Sequence, residues 1–164
     1  MEIFGTRLTL GLLATIVLTM IAYLLLTADL RSSNKPGQIF LPDNEQVVDL
    51  GKQVYADNCA SCHGINLEGQ TPNWRSPGPD GKLPAPPHDQ TGHTWHHTDE
   101  LLFNLTKYGL AKAANLKNYE SNMPIYENVL TDEEIIAVMS YIKSTWPRQI
   151  KERHDQLNAA NAGQ

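Results

Sequence analysis

The fold class the 164-residue sequence predicts is an all-α domain carried on a single apolar N-terminal helix. Three observations lead there. Residues 8–28 carry no charge over a length that suits one membrane span. Three later stretches, 45–58, 98–109 and 131–145, place apolar residues at helical spacing, each behind a residue able to cap a helix. The segments between them, rich in Pro and Gly, sustain no periodicity and read as loops.

The uncharged run Leu8–Ala28 is 21 residues long. As a helix it would reach about 31 Å, enough to cross the hydrocarbon core. A cleaved leader is the competing reading, but the run exceeds an ordinary leader's apolar stretch, and a cut after Ala28 would put Leu26 where a small residue is wanted. Residues 1–30 are therefore expected to be a retained anchor in a lipid bilayer. Arg7 stands before it and Arg31 and Lys35 after it, so flanking charge says little about orientation. Residues 31–44, with Pro36, Gly37 and Pro42, read as a short tether of at most about 45 Å.

The folded helical domain is expected over residues 45–147. Glu45–Asn58 forms its first helix, capped by Asn44 or Asp43, with Val47, Val48, Leu50, Val54 and Tyr55 as apolar positions. Gly51 is unfavourable inside a helix by about 1 kcal/mol against Ala. A close helix crossing explains it, with Tyr55 one turn on and Tyr141 a candidate neighbour.

Next comes Cys59-Ala60-Ser61-Cys62-His63, the C-x-x-C-H signature of covalent haem c attachment. Thiols at this spacing sit about one helical turn apart and can form thioether bonds to the two vinyl groups on one porphyrin edge. The adjacent imidazole of His63 then falls under the iron as proximal ligand. A thioredoxin-like pair would want a strand–helix–strand context, and the flanks are helical. A zinc site would want a second Cys/His pair at ligand spacing; the chain has 2 Cys in all, and the His-rich stretch that follows leaves zinc as an alternative. Because haem c is attached in bacteria outside the inner membrane, the motif also sets the topology: N-terminus cytoplasmic, haem domain periplasmic.

Residues 64–97 hold Pro72, Pro77, Pro79, Pro84, Pro86 and Pro87 and form a long loop that one haem could order by giving it something to wrap. Thr98 caps a helix ending at Gly109; Leu101, Leu102 and Leu105 form its apolar side. Residues 110–122 are irregular. Of the 4 Met, only Met123 lies in a loop, stiffened by Pro124 and 60 residues beyond His63. Its thioether is the candidate second axial ligand, a soft neutral donor that favours ferrous iron. Thr131-Asp132-Glu133-Glu134 opens the last helix of the domain with a capping box; Ile135, Val138, Met139 and Ile142 face inward and Trp146-Pro147 ends it. Residues 148–164 are a polar tail with a short helix over Arg148–Asn158.

Between Phe40 and Pro147 there are 14 acidic and 7 basic residues, a net −7, within a chain of formal charge −5. That excludes nucleic acid and anionic lipid as partners of the domain surface. His88, His93, His96 and His97 lie within ten residues, a density that can bind copper or zinc as a second metal.

This order of elements over residues 45–147 resembles the class I cytochromes c. With the anchor, the whole is similar to membrane-anchored bacterial monohaem cytochromes c of respiratory or photosynthetic membranes that link quinol–cytochrome c reductase to a haem–copper oxidase. The resemblance implies an electron carrier, not an enzyme, with one haem c. It implies that a loop proline accepts a hydrogen bond from the proximal imidazole, Pro72 matching best, and that Arg75 and Trp95 hold the propionates. It also implies the Gly51, Tyr55 and Tyr141 helix crossing. Mobile relatives present a lysine ring around the haem edge; this domain is acidic, which favours a fixed subunit of an oxidase or dehydrogenase complex as the alternative. Two further readings are a ligand sensor or peroxidase-like protein from which Met123 dissociates, and a copper-handling protein using the His cluster.

Overall fold

The computed structural model describes residues 35–163, together with Val17 and residues 19–21. Two units divide the chain, Met1–Lys35 and Pro36–Gln164. Val17 and residues 19–21 are helical, with Val17, Met20 and Ile21 exposed. The rest of the expected anchor lies outside the described residues, and among these no helix is long and apolar enough to cross a membrane.

The second unit is all helix and loop among the described residues. In chain order it contains α1 (Glu45–Asn58), α2 (Ala60–His63), a 3₁₀ turn (Thr94–His96), α3 (Asp99–Tyr108), α4 (Leu110–Ala113), α5 (Asp132–Ser144) and α6 (Arg148–Asn161). Caps set the starts. The Asn44 side chain accepts from Val47 N, that of Thr98 from Leu101 N, and Thr131 and Glu134 form a reciprocal capping box. α4 is a single turn inside the stretch expected to be irregular.

The core is built where α1 crosses α5. A Cβ on Gly51 would lie 1.9 Å from the carbonyl oxygen of Ala137 and 2.9 Å from Cβ of Tyr141, so the helix backbones meet where only glycine fits. One turn on, the rings of Tyr55 and Tyr141 pack with centroids 5.5 Å apart. Val54, Leu67, Leu102, Val138, Met139, Ile142 and Trp146 complete the cluster, together with Phe40.

Phe40 changes the expected tether. It is 1% exposed, and the backbone N–H groups of Ile39 and Phe40 both donate to Asp99 Oδ2, at 2.7 and 2.9 Å. Residues 36–44 thus belong to the folded unit. The three-residue apolar run Ile39-Phe40-Leu41, set between Pro36-Gly37 and Pro42, is too short to show a period, which is why the segment read as linker.

The expected polar tail is likewise a packed element. α6 begins directly at Pro147 and buries His154 and Asn158. Asn158 and Asp99 are bonded reciprocally: Asp99 N donates to Asn158 Oδ1 at 2.8 Å, and Asn158 Nδ2 to Asp99 Oδ1 at 2.7 Å. Fully buried Lys143 lies 2.8 Å from Asp155 and 3.8 Å from Asp99, and His154 Nε2 donates to the His97 carbonyl at 2.8 Å. A helix whose buried face is polar escapes any search for apolar periodicity.

Candidate haem-binding site

Cys59 closes α1, its N–H donating to Tyr55 O at 2.9 Å, and α2 is the one turn that carries Ala60 to His63. Gly64 then turns the chain at φ +81°, and its carbonyl accepts from the Tyr55 hydroxyl at 2.7 Å. The motif is therefore held at both ends by Tyr55. Cys59 is half-buried and Cys62 exposed, both as free thiols. Burial, with Cys62 beside it, pushes the Cys59 thiol up to about 11. That shift favours the neutral thiol over the thiolate at Cys59.

His63 is buried, which lowers its pKa. Its Nδ1–H donates to the carbonyl of Pro86 at 2.8 Å. That bond fixes the tautomer and leaves Nε2 with a free lone pair for a metal. Pro86, not Pro72, makes this contact. The reason is the path of the long loop. Gln70 N donates to Ala85 O and Ala85 N to Gln70 Oε1, so residues 70–85 form a closed excursion containing Pro72. The returning limb, fastened by His88 N to Leu67 O at 2.8 Å, is the one that meets the motif.

Met123 is half-buried and follows Ser121, whose Oγ accepts from Met123 N at 3.0 Å. Three residues later the Tyr126 hydroxyl donates to Asn58 O at 2.7 Å, beside Cys59. Burial and the two neighbouring cysteines push the Tyr126 phenol up to about 12. On the other side Asn122 Nδ2 donates to Asp80 Oδ2 at 2.8 Å. The Met123 loop is thus fastened to both the end of α1 and the 70–85 excursion. A groove of about 590 Å³ opens between that excursion and Asn122, but neither thiol nor His63 lines it.

Arg75 lies 3.9 Å over the Trp74 ring, whose plane stacks on His93 at 5.0 Å. Trp95 stacks on His96 at 3.7 Å with Arg153 5.1 Å from its ring. Trp95 Nε1 and His93 Nδ1 are buried without a protein partner. An unsatisfied buried donor costs about 1–3 kcal/mol, so the indole N–H calls for an acceptor from outside the chain. A haem propionate would be one. The donor set therefore fits a covalent haem: two thiols a helical turn apart, an imidazole with Nε2 free, and an orphaned indole N–H.

The four histidines do not converge. His88 stacks on His63 and shares a hydrogen bond of 2.8 Å with Thr94 Oγ1; His96 is on Trp95; only His93 and His97 touch, edge to face at 5.2 Å. Among the described residues no group of three or more His, Cys, Asp or Glu is placed to hold a metal ion. The expected second metal site is not formed, because adjacent histidines on a loop and a 3₁₀ turn point toward different aromatic neighbours. Burial lowers His88 well below the usual histidine range, aided by His63 and His93.

Fold and site together define a small helical protein shaped to hold a redox cofactor through paired thiols and an imidazole. Residues 48–146 match the family model for cytochrome c, and the chain belongs to the cytochrome c family. Membership points to an electron carrier or electron-transfer subunit rather than a catalytic enzyme, and implies covalently bound haem c. The chain is 31% identical over 102 residues to a nitrite reductase of Stutzerimonas stutzeri, covering 59% of this chain and 16% of that protein. It is 57% identical over 28 residues to the cbb3-type cytochrome c oxidase subunit FixP of Sinorhizobium medicae and to that of Rhizobium meliloti, in each case 17% of this chain and 10% of the relative. The chain thus spans a sixth or less of the length of these relatives. No solved structure matches it.

Proposed function

We propose that this chain is a membrane-anchored monohaem cytochrome c that passes electrons between complexes of a bacterial inner membrane. Cys59 and Cys62 hold the haem, and His63 and Met123 are its axial ligands. On this reading Trp95, Arg75 and His93 are the propionate partners, a role supported by the unpartnered buried indole N–H of Trp95. Residues 8–28 anchor the protein with its N-terminus in the cytoplasm and its haem domain in the periplasm. When bound, haem c supplies one-electron chemistry. The protein orients the group, keeps His63 in the tautomer that exposes Nε2, and leaves Cys62 and Ile65 at the surface, where a partner can approach.

The observation that carries this reading is the His63 to Pro86 hydrogen bond beside the two thiols. Support for a partner comes from FixP, named as a subunit of a cbb3-type oxidase, and from the acidic domain. The donor on this reading is quinol–cytochrome c reductase and the acceptor a haem–copper oxidase. The same likeness favours a second reading, a fixed subunit of an oxidase or dehydrogenase complex.

Two measurements test the proposal. The membrane fraction must contain a haem-stained band of this chain's mass whose ferric spectrum is low-spin with a methionine-to-iron charge-transfer band. Copurification in mild detergent separates the readings: stoichiometric comigration with a large complex supports the subunit, and a free monomer supports the carrier. High-spin iron that binds carbon monoxide in the ferrous protein at neutral pH would instead favour a sensor.

A further inference from the structure

We propose that His88 is a positioning residue for His63, its ring stacked on the proximal imidazole so that, with the Pro86 carbonyl, it fixes the rotation of that imidazole. The inference rests on the reading of His63 as an iron ligand. The two ring centroids are 4.0 Å apart and the planes 21° from parallel. A single hydrogen bond at Nδ1 leaves the His63 ring free to rock about the N–H···O axis. A flat ring against its face removes that freedom, which an aliphatic side chain of similar size would not.

His88 can do this because it is itself immobile. Its N–H donates to Leu67 O at 2.8 Å, and its carbonyl accepts from Trp146 Nε1 at 2.7 Å. Its Nδ1 shares a hydrogen bond of 2.8 Å with Thr94 Oγ1, and its ring meets Tyr55 edge-on at 6.4 Å. Thr94 and Trp146 are both buried, so this frame belongs to the core rather than to a mobile surface. Leu67, which receives the His88 N–H, is buried with φ at +69°, a left-handed conformation that leucine rarely adopts. The chain accepts local strain where it turns this carbonyl toward His88. A residue that looked in sequence like one of four ligands of a second metal is instead a brace behind His63.

The test uses the full-length, haem-loaded protein in detergent and compares His88→Leu, His88→Phe, Thr94→Val and Thr94→Ser with wild type. Haem staining and pyridine haemochrome report attachment, and electron paramagnetic resonance of the ferric state reports the axial imidazole. The expected result is that His88→Leu keeps covalent haem while its largest low-spin g feature shifts and broadens. Thr94→Val should broaden it less, as should His88→Phe, which keeps a flat ring but loses the Thr94 bond, whereas Thr94→Ser should retain a narrow line. If His88→Leu does not accumulate, Thr94→Val against Thr94→Ser decides. Wild-type g values and line widths in haem-loaded His88→Leu, or in haem-loaded Thr94→Val where the first is not obtained, overturn the inference. A wild-type protein with no covalent haem, or with a ferric signal not due to histidine, overturns the reading of His63 instead.

Discussion

The Tyr126 hydroxyl donates to the carbonyl of Asn58 across 2.7 Å, joining the loop that bears Met123 to the residue before Cys59. One hydrogen bond thereby couples the two sides of the site, 68 positions apart in sequence. Tyr126→Phe should leave haem attachment intact and lower stability by about 1 kcal/mol, the usual worth of such a bond. It should also weaken the methionine-to-iron charge-transfer band and tighten binding of added imidazole, both read in optical titrations. An unchanged band would place the hold on Met123 elsewhere.

Gly51 and Ala137 set the second prediction. Because a Cβ at position 51 meets backbone rather than a flexible side chain, α1 and α5 must separate to admit one. Gly51→Ala should destabilise the haem-loaded protein by about 3 kcal/mol, the upper range for overpacking, as measured by denaturant unfolding followed in the Soret band.

The two prolines separate the expected from the observed support of His63. Pro86→Ala keeps the carbonyl but frees the segment that presents it, so the reduction potential should shift. Pro72→Ala, within the 70–85 excursion, should leave the potential unchanged. Equal effects would contradict the loop path described above.

His154 predicts a pH dependence. Burial, then the ammonium of Lys143 on α5, lowers its pKa below 6.5, against the pull of Asp99 on α3, the His97 carbonyl and Asp155 on α6. The unfolded chain therefore binds this proton more readily than the folded one. Stability is unaffected well above pH 6.5 and falls as pH drops through it toward the folded-state value. His154→Gln should flatten that part of the curve in urea titrations between pH 5 and pH 7.5 (about two units around the ordinary histidine value). A slope unchanged by the substitution would remove His154 as its source.

Much of this was legible in the sequence. Caps at Asn44, Thr98 and Thr131 announced three helices, and Gly51 announced the crossing, since each is a local preference with one dominant cause. The pentapeptide announced its chemistry because spacing along one turn is itself the geometry. What stayed hidden depended on contacts between distant residues. Pro86 could not be told from five other prolines of the loop without knowing where the loop closes. Phe40 and the α6 residues His154 and Asn158 are buried by pairing with Asp99 or by packing in the core, not by belonging to an apolar stripe. The histidines were misread because density along the chain does not imply convergence in space.

The Asp99 carboxylate has a consequence for where this domain begins and ends. The family match runs from residue 48 to 146, yet Asp99, inside it, is satisfied by Ile39 and Phe40 before that span and by Asn158 after it. Excised at the family's borders, the chain would keep the buried Asp99 carboxylate but lose the Ile39, Phe40 and Asn158 N–H groups that donate to it. The flanks are thus structural members of the haem domain, and a piece cut at residues 48 and 146 is expected to be less stable than one that keeps them.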